Sequence, residues 1–447
     1  MVASSPPMKK IAITTLGCKV NQFESAAFVS ALDSRAGVEL VDFPGRADVY
    51  IINTCAVTSR AAAQSRQLIR RALRANPEAR LVVTGCYAQI APLDIIDIGD
   101  TPVCIVGNGY KHRLVEVALA DTGCDLEMHM GDISRKQEIC PLTVTRFGDR
   151  TRACLKVQDG CDSFCSYCIV PHARGRSRSL APEKAVAQAE LFAAQGYREM
   201  VLTGIHLGHY GRDLAPAASL PGLLASLLDL DLPVRYRLSS LEPTEISDEL
   251  LRVMAGSAAV MPCLHIPLQS GDDRILKRMN RRYPAATFAT VVENCLRHLP
   301  DAAIGVDVLV GFPGEDDDAF ANTYRLLDGL PVTSLHVFPY SKRPGTPAAA
   351  MAGQVAKAVK EERVALLRDL DHKKRVAFAL RHLGTVRRVL VEAPRGGRLR
   401  GFTENYIPVG FTGDPGLVNQ LVDVRLEAIG DGMALGSMVG GAEGKAG

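Results

Sequence analysis

Residues 156–179 read KVQDGCDSFCSYCIVPHARGRSRS, and the three cysteines of this stretch decide how the rest of the chain is interpreted. Cys161, Cys165 and Cys168, called the loop cysteines below, have the spacing C-x3-C-x2-C and follow a strand predicted over 153–158. Enzymes built on β/α barrels carry their reactive groups at the carboxyl ends of the strands. The sequence therefore predicts three thiolates in one tight loop at such an edge.

The number of cysteines in this loop favours an iron–sulfur cluster over a zinc ion. Three thiolates leave one iron of a [4Fe–4S] cluster without a protein ligand, and this open position can accept a substrate or cofactor. A structural zinc site needs a fourth thiol or imidazole at close spacing. His172 is the nearest candidate, but its spacing from Cys168 does not suit a paired zinc site.

Around this loop, residues 151–378 show six βα units, which is the pattern of an open or partial β/α barrel. Helical stretches such as 182–195 and 272–280 separate the strands, and a charged helix over 357–378 closes the region. The strands are predicted at Ala153–Gln158, Glu199–Thr203, Val234–Leu238, Cys263–Leu268, Ala302–Val310 and Ser334–Pro339.

Three further cysteines, Cys18, Cys55 and Cys86, each follow a predicted strand within residues 8–121. We call them the sheet-edge cysteines. Strands and helices alternate there as in an α/β domain with a parallel sheet, whose ligands bind where the strands end. The three thiols should therefore converge and suggest a second metal cluster. The alternative is that they are small buried apolar side chains. No dinucleotide or phosphate-binding motif accompanies these turns.

The remaining segments complete a multidomain α/β chain. Residues 122–150 have weak periodicity and are predicted to connect the two α/β domains. Residues 379–440 change to short β-rich runs typical of a small β-barrel. The glycine-rich residues 441–447 offer nothing to bury and are expected to be disordered. The β-rich runs cover 385–392, 401–408 and 417–426.

The composition of the 447-residue chain argues against fibrous and membrane-spanning classes. It is 47% hydrophobic and 23% charged, and no stretch approaches the roughly 20 apolar residues of a spanning helix. The N-terminus lacks a signal peptide's apolar segment, so we expect a cytoplasmic protein with no membrane partner. In that compartment its twelve cysteines favour metal binding over disulfides. The net charge of +3 restricts RNA binding to local patches, and no DNA partner is expected.

The stretch 156–179 resembles the cluster loop of methylthiotransferases, a family of radical S-adenosylmethionine enzymes, and the resemblance extends over nearly the whole chain. The sheet-edge cysteines look like the family's auxiliary-cluster cysteines, and residues 379–440 look like its RNA-binding TRAM module. The stretches 17–25, 53–58 and 65–71 are most similar to the MtaB branch. That branch modifies tRNA carrying N(6)-threonylcarbamoyladenosine beside the anticodon.

This resemblance implies two [4Fe–4S] clusters that divide one reaction. The cluster on the loop cysteines would bind S-adenosylmethionine at its open iron, and reduction by an unidentified one-electron reductant would yield a 5′-deoxyadenosyl radical. The cluster on the sheet-edge cysteines would carry the sulfur that a second S-adenosylmethionine methylates. Carbon 2 of the adenine would receive the methylthio group. The expected macromolecular partner is the anticodon arm of tRNA.

Residues at the ends of later barrel strands match family motifs of the S-adenosylmethionine pocket. Strand-end glycines and polar residues also occur because turns need them, and Asp307 lies inside its predicted strand, where it could instead be a core carboxylate. The candidates are Thr203, Gly204, Gln269, Asp307 and Gly311. The other cysteines lack a mutual spacing and are expected to be structural: Cys104, Cys124, Cys140, Cys154, Cys263 and Cys295.

Two basic segments suggest RNA contact. Arg66, Arg70 and Arg74 recur every four residues on one predicted helical face. Residues 381–400 hold six arginines against the single acid Glu392. Basic surfaces near aromatic side chains hold phosphates and stack splayed bases, although each patch alone is more often a solvated face. The arginines are Arg381, Arg387, Arg388, Arg395, Arg398 and Arg400, and the aromatic residues that follow are Phe402, Tyr406 and Phe411.

Together these features predict a tRNA methylthiotransferase acting on N(6)-threonylcarbamoyladenosine. The same chemistry on tRNA bearing N(6)-isopentenyladenosine, or on a ribosomal-protein aspartate, is the first alternative. A non-enzymatic iron–sulfur RNA-binding protein or electron carrier is a second. A simple carrier closes its cluster with four cysteines and needs no open iron, so the C-x3-C-x2-C loop argues against it.

Overall fold

The structure is a computed structural model that describes residues 8–99, 102–120, 126–148, 150–430 and 432–440. Cys124 and the predicted disordered tail, residues 441–447, lie outside the described residues. No helix in the described ranges is long and apolar enough to span a bilayer.

The N-terminal region forms the predicted α/β layer around one parallel sheet. Its elements are β1 (Lys9–Thr15), α1 (Lys19–Asp33), β2 (Val38–Val41), β3 (Val49–Thr54), α2 (Ser59–Ala75), β4 (Arg80–Gly85), α3 (Cys86–Ile90), α4 (Leu93–Ile96), β5 (Val103–Val106), α5 (Leu114–Leu119) and β6 (Glu127–His129). The strand order is β2-β1-β3-β4-β5-β6, and all neighbours pair parallel. Strands β3 and β4 are buried along their whole length, as expected for a sheet covered on both faces. Strand β6 comes from the segment predicted to be only a connection.

The middle region confirms the predicted partial barrel. Its elements are β7 (Arg152–Lys156), β8 (Gln158–Asp159), α6 (Val170–Arg174), β9 (Arg178–Ser179), α7 (Pro182–Ala194), β10 (Glu199–Thr203), α8 (Leu220–Leu228), β11 (Arg235–Leu238), α9 (Asp248–Ala255), β12 (Cys263–His265), α10 (Asp273–Arg278), α11 (Ala285–His298), β13 (Ala303–Val310), α12 (Asp317–Gly329), β14 (Ser334–Pro339), α13 (Pro347–Ala350) and α14 (Lys357–Leu380). Six strands form two parallel sheets, β11-β10-β7 and β12-β13-β14, joined by a bridge between Tyr236 and Val260. Strands β7 and β14 remain as the two edges, so the barrel is open.

The C-terminal region is a closed five-stranded barrel in the order β15-β16-β17-β19-β18. Its strands are β15 (Val386–Arg395), β16 (Arg398–Phe402), β17 (Pro408–Phe411), β18 (Leu421–Gly430) and β19 (Met433–Met438). The run predicted as one strand over 401–408 is two strands joined by a turn, in which the Thr403 hydroxyl accepts a hydrogen bond from the Ile407 amide at 2.9 Å. Strand β19 was not predicted.

A buried charged network fastens this small barrel to the large one. Glu199 accepts hydrogen bonds from Arg152, Arg235 and Arg237. Burial opposes the charge of Glu199, but the three guanidinium groups outweigh it and lower its pKa to about 2. Arg237 also donates to the Thr403 carbonyl at 2.8 Å. The C-terminal barrel therefore docks through paired cations at the amino ends of the barrel strands.

Candidate active site

The loop cysteines lie between the end of β8 and the start of α6. Gly160 precedes the first of them with a φ of +77°, and a β-carbon at this position would lie 1.9 Å from the Arg176 carbonyl oxygen. Only glycine fits this turn. The Cys161 amide donates to the Gly175 carbonyl at 3.0 Å, which closes the loop against the residue that follows α6.

A histidine from the neighbouring βα loop contacts the first loop cysteine. His206 Nδ1 lies 3.3 Å from Cys161 Sγ, and its Nε2 lies 2.5 Å from a Glu245 oxygen. Burial disfavours a charge on His206, but its hydrogen bonds to Cys161 and Glu245 raise its pKa to about 10. Burial likewise raises the pKa of Cys161, but the His206 contact outweighs it and the net shift is downward. The pair favours the thiolate, which is the form that binds iron.

The other two loop cysteines share a buried arginine. Arg281 donates to Cys165 Sγ at 3.7 Å and to both oxygens of Glu242, at 2.8 and 2.5 Å. Burial raises the pKa of Cys168 to about 12, and the neighbouring Cys165 thiolate adds to the increase. His206 and Arg281 could not be predicted from the sequence, because neither lies near a cysteine along the chain.

The sheet-edge cysteines converge as predicted. Gly17 packs directly against Cys55: a β-carbon on Gly17 would lie 3.0 Å from Cys55 Sγ. Burial raises the pKa of Cys55 to about 11, and the thiolates of Cys86 and Cys18 raise it further, as expected for three thiols at one edge. Cys55 and Cys86 are buried, whereas Cys18 is exposed.

Hydrogen bonds from polar side chains connect the three turns at this edge. Asn21 donates from Nδ2 to the carbonyls of Leu16, at 2.7 Å, and Thr54, at 3.0 Å. Asn53 donates to the Asn21 carbonyl at 3.0 Å. Gly85 packs so closely that a β-carbon would lie 2.3 Å from the Thr54 carbonyl. The turns that carry Cys18, Cys55 and Cys86 are therefore held in one arrangement.

One buried arginine connects the two sets of cysteines. Arg174, the last residue of α6, is 1% exposed. Its Nη1 contacts Glu24 at 3.0 Å and Asp159 at 2.9 Å, and its Nη2 donates to Asn21 Oδ1 at 2.5 Å. Because Asn21 and Glu24 lie on α1, which begins right after Cys18, the arginine fixes one cysteine set against the other.

Two buried lysines complete this network. Lys111 pairs with Glu24, and Lys156 pairs with Glu24 at 3.2 Å and with Asp159 at 2.8 Å. Three cations thus face two carboxylates, which leaves an excess of one positive charge between the cysteine sets. The sequence does not predict this network, although Arg174 lies in the same stretch as the loop cysteines, residues 156–179.

The donor chemistry of both sets fits iron–sulfur clusters. All six thiols are free, and none of the described cysteines forms a disulfide. Around the sheet-edge set and Arg174, the buried atoms Asn53 Oδ1, Asn108 Oδ1 and Arg174 Nε have no hydrogen-bond partner among the described residues. Unsatisfied buried polar atoms are rare in native proteins and point to an additional group at this position. The excess positive charge suits an anionic group such as a thiolate-bound cluster.

For four of the five predicted pocket residues, the structure shows either local packing or an unusual backbone conformation. Thr203 is buried and donates to the Val201 carbonyl, and Gly204 packs against the Gln158 side chain. The Lys360 side chain occupies the space beside Gly311. Gln269 has a φ of 68°, an uncommon conformation for a non-glycine residue and one that clusters at functional sites. These four stay predictions for S-adenosylmethionine contacts.

The fifth, Asp307, faces a cavity of about 720 Å³ at the open side of the barrel. Its carboxylate lies 2.8 Å from His265 Nε2 and 3.5 Å from His336 Nδ1. It is not a core carboxylate, because 22% of its side chain is exposed. Burial raises its pKa, but the two histidines outweigh burial and hold the pKa well below its usual value. Residues from all three regions line the cavity, including Lys19 of α1 and Tyr406 of the C-terminal barrel.

Some of the arginines predicted to contact RNA are exposed, and others are bonded to side chains of the protein. Arg66 donates to the Tyr87 hydroxyl at 2.7 Å, whereas Arg70 and Arg74 are exposed. Arg387 pairs with Asp301 at 3.1 Å. Arg381, Arg388, Arg395 and Arg398 are exposed, and Arg400 is half-buried.

The three predicted base-stacking residues differ in exposure: Tyr406 is 43% exposed and Phe402 is half-buried. Phe411 is 1% exposed in the core of the C-terminal barrel and is closed to a base. Phe402 and Tyr406 stack on each other at 4.6 Å, with the Arg152 guanidinium over both rings. These rings belong to the docking interface, because the charged network around Glu199 reaches them.

The remaining described cysteines differ in burial. Cys104, Cys154 and Cys295 are buried, Cys263 is half-buried, and Cys140 Sγ lies 3.4 Å from His112 Nδ1.

Comparison with known proteins gives the same outline. Residues 10–107 match the family described as Uncharacterized protein family UPF0004, and residues 155–327 match the Radical SAM superfamily. The Threonylcarbamoyladenosine tRNA methylthiotransferase MtaB of Bacillus subtilis is 40% identical over 435 residues, which cover 94% of this chain and 94% of that protein. The tRNA-2-methylthio-N(6)-dimethylallyladenosine synthase of Maricaulis maris is 31% identical and covers 98% of each chain. The solved structure of the radical S-adenosylmethionine methyltransferase TsrM from Kitasatospora setae covers 76% of this chain and 77% of that one with a TM-score of 0.56. At 16% identity it shows the fold alone.

Proposed function

The chain belongs to the MtaB family of radical S-adenosylmethionine methylthiotransferases, and we propose that it attaches a methylthio group to carbon 2 of N(6)-threonylcarbamoyladenosine beside the anticodon of tRNA. The observation that carries this proposal is the pair of three-cysteine sets joined by Arg174. The C–H bond at carbon 2 is not acidic enough for a side-chain base, so the reaction needs radical chemistry from a cofactor.

The loop cysteines would hold a [4Fe–4S] cluster with one open iron. When bound, this cluster coordinates S-adenosylmethionine and supplies the electron that cleaves it. The protein's part is to present three thiolates, and His206 and Arg281 support this by placing hydrogen-bond donors on Cys161 and Cys165. Thr203, Gly204, Gln269, Asp307 and Gly311 are the residues we propose for the S-adenosylmethionine pocket.

The sheet-edge cysteines would hold a second [4Fe–4S] cluster, which supplies the sulfur. Burial of Cys55 and Cys86 excludes water from two of its ligands, while exposed Cys18 leaves one side open to the substrate. Arg174, Lys111 and Lys156 would balance the cluster's negative charge, since they exceed the neighbouring carboxylates by one. An unidentified one-electron reductant and a cytoplasmic location complete the proposal.

The tRNA anticodon arm would contact the exposed arginines of the β15–β16 hairpin. Replacing Arg395 and Arg398 together by Gln should flatten the plot of log binding constant against log salt by about 0.7–0.9 for each lost phosphate contact. Fluorescence anisotropy with an anticodon stem-loop measures this slope. The control replaces Lys184 and Arg252, exposed on α7 and α9, and should keep the wild-type slope. An unchanged slope in the hairpin variant would place the RNA elsewhere.

Acceptor choice tests the function directly. Reduced, cluster-loaded protein with S-adenosylmethionine should methylthiolate tRNA carrying N(6)-threonylcarbamoyladenosine at least about 100-fold more efficiently than tRNA carrying the dimethylallyl modification, because a site built for a polar group rejects an analogue that lacks it. Mass spectrometry of digested nucleosides measures both products. The reverse preference would assign the dimethylallyl acceptor, and modification of a ribosomal protein alone would refute an RNA acceptor.

A further inference from the structure

The cavity at the open side of the barrel contains several cations that the protein itself neutralises. Arg152 and Arg237 both bind the buried carboxylate of Glu199. Arg375 binds Asp371 at 2.8 Å. Each of these arginines is already paired with a carboxylate and would offer less to a charged ligand without losing that pair.

Two other cations line the same cavity without such partners. The side chains of Lys19 and Arg150 form no ion pair or hydrogen bond with any described residue, and both are exposed. The two carboxylates that line the cavity are already paired, Asp307 with His265 and His336, and Glu392 with Arg152. The cavity therefore carries unpaired positive charge and favours an anionic ligand.

Of these two unpaired cations, Lys19 is the nearer along the chain to the sheet-edge cysteines. It is the first residue of α1 and directly follows Cys18. It lines the cavity together with Cys154 of β7 and Cys263 of β12, so it lies on the side of α1 that faces the barrel. Gln22, one turn later on α1, lines the cavity as well. A ligand bound at Lys19 would thus lie next to the set of thiols that we assign to the sulfur-bearing cluster.

We propose that Lys19 binds the carboxylate of the threonylcarbamoyl substituent and thereby selects this acceptor over adenosines with uncharged N(6) substituents. This inference rests on the proposed function. The threonyl group is attached through its nitrogen and keeps its carboxylate, whereas a dimethylallyl group has no charge and no hydrogen-bonding atom. An ammonium–carboxylate pair in a cavity of this kind is a charge-assisted hydrogen bond, which is stronger and more selective than a neutral one. Lys19 is thus a specificity-determining residue.

Equilibrium binding separates this role from catalysis. Three anticodon stem-loops are compared at one salt concentration: one with N(6)-threonylcarbamoyladenosine, one with its carboxylate converted to a methyl ester, and one with unmodified adenosine. Wild-type protein should bind the free carboxylate about 10-fold more tightly than the ester, as expected for one charged hydrogen bond. Lys19→Met should lose this preference, and Lys19→Arg should restore most of it.

Two matched variants serve as controls. Arg150→Gln removes the other unpaired cation of the cavity, and Lys184→Met removes an exposed lysine on the outer helix α7. Both should keep the wild-type preference for the carboxylate. Iron content and the visible absorption spectrum of Lys19→Met should equal those of the wild type, because Lys19 is not assigned to hold the cluster.

Each contrary result overturns the inference in a recognisable way. Equal weakening of all three RNAs by Lys19→Met would make Lys19 a phosphate contact, and loss of iron would make it a support of the cluster. A preference that survives in Lys19→Met but disappears in Arg150→Gln would move the carboxylate to Arg150. The acceptor assay on wild-type protein is run in parallel. If that assay fails, the proposed function is wrong; if it succeeds while Lys19→Met keeps its selectivity, only this inference is wrong.

Discussion

Cys55→Ala is expected to cleave S-adenosylmethionine at close to the wild-type rate while transferring no methylthio group, whereas Cys165→Ala should lose both activities. The difference follows from the separation of the two cysteine sets, which follow strands of different sheets and are linked through the buried network around Arg174. Cys165 belongs to the loop that would hold the cofactor-cleaving cluster. Cys55 belongs to the edge that would carry the sulfur.

The measurement is anaerobic formation of 5′-deoxyadenosine together with nucleoside mass spectrometry of the tRNA. Wild-type protein should contain about eight irons, and replacing all three cysteines of either set by Ala should leave about four. Cys140→Ala is the matched control, because this half-buried thiol contacts His112 and belongs to neither set. Normal methylthio transfer by Cys55→Ala, or a wild type with only four irons, would show that the sheet-edge assignment is wrong.

The positions of the cysteines could be predicted from the sequence because they depend on local patterns. Apolar runs ending in a turn define the strands, and the predicted bounds of Glu199–Thr203 and Ser334–Pro339 match β10 and β14. In a parallel sheet all carboxyl ends share one edge, so three cysteines at strand ends must lie near one another. Their convergence therefore needed no knowledge of how the domains pack.

The partners of these cysteines could not be predicted, because they come from distant parts of the chain. Glu24 meets Arg174 across 150 residues, and Arg281 meets Cys165 across 116. Periodicity indicates which face of a helix is buried but not which charged group it meets. Before the domains are docked, Glu24 is only one acidic residue on an amphipathic helix.

The C-terminal barrel shows a second limit of sequence patterns. Residues 401–408 alternate like one strand, but Tyr406 has a φ of +67° and the chain turns there. Phe402 and Tyr406 then face the docking arginines, and Tyr406 stays exposed on its other side. Aromatic residues beside arginines are typical both of RNA-binding surfaces and of domain interfaces. The positions of the barrel strands that carry these rings distinguish an RNA-binding surface from a domain interface.

Glu24→Gln is expected to destabilise the folded protein by about 3–5 kcal/mol, since it removes one anion from a buried network and leaves three cations facing Asp159 alone. The substitution keeps the side-chain volume, so the loss reports charge and not packing.

Although burial opposes its charge, the contacts with Arg174, Lys111 and Lys156 hold the pKa of Glu24 well below its usual value. A carboxylate with a lowered pKa stabilises the fold above its unfolded pKa of about 4.3, and this contribution declines as the pH falls. Chemical denaturation across pH 3–7 should therefore show a flatter acid decline in Glu24→Gln than in the wild type. Asp369→Asn, which breaks the exposed pair with Lys373 on α14, should change neither quantity measurably. An equal free energy of unfolding for Glu24→Gln and wild type would mean that the network does not stabilise the contact between the two cysteine-bearing regions.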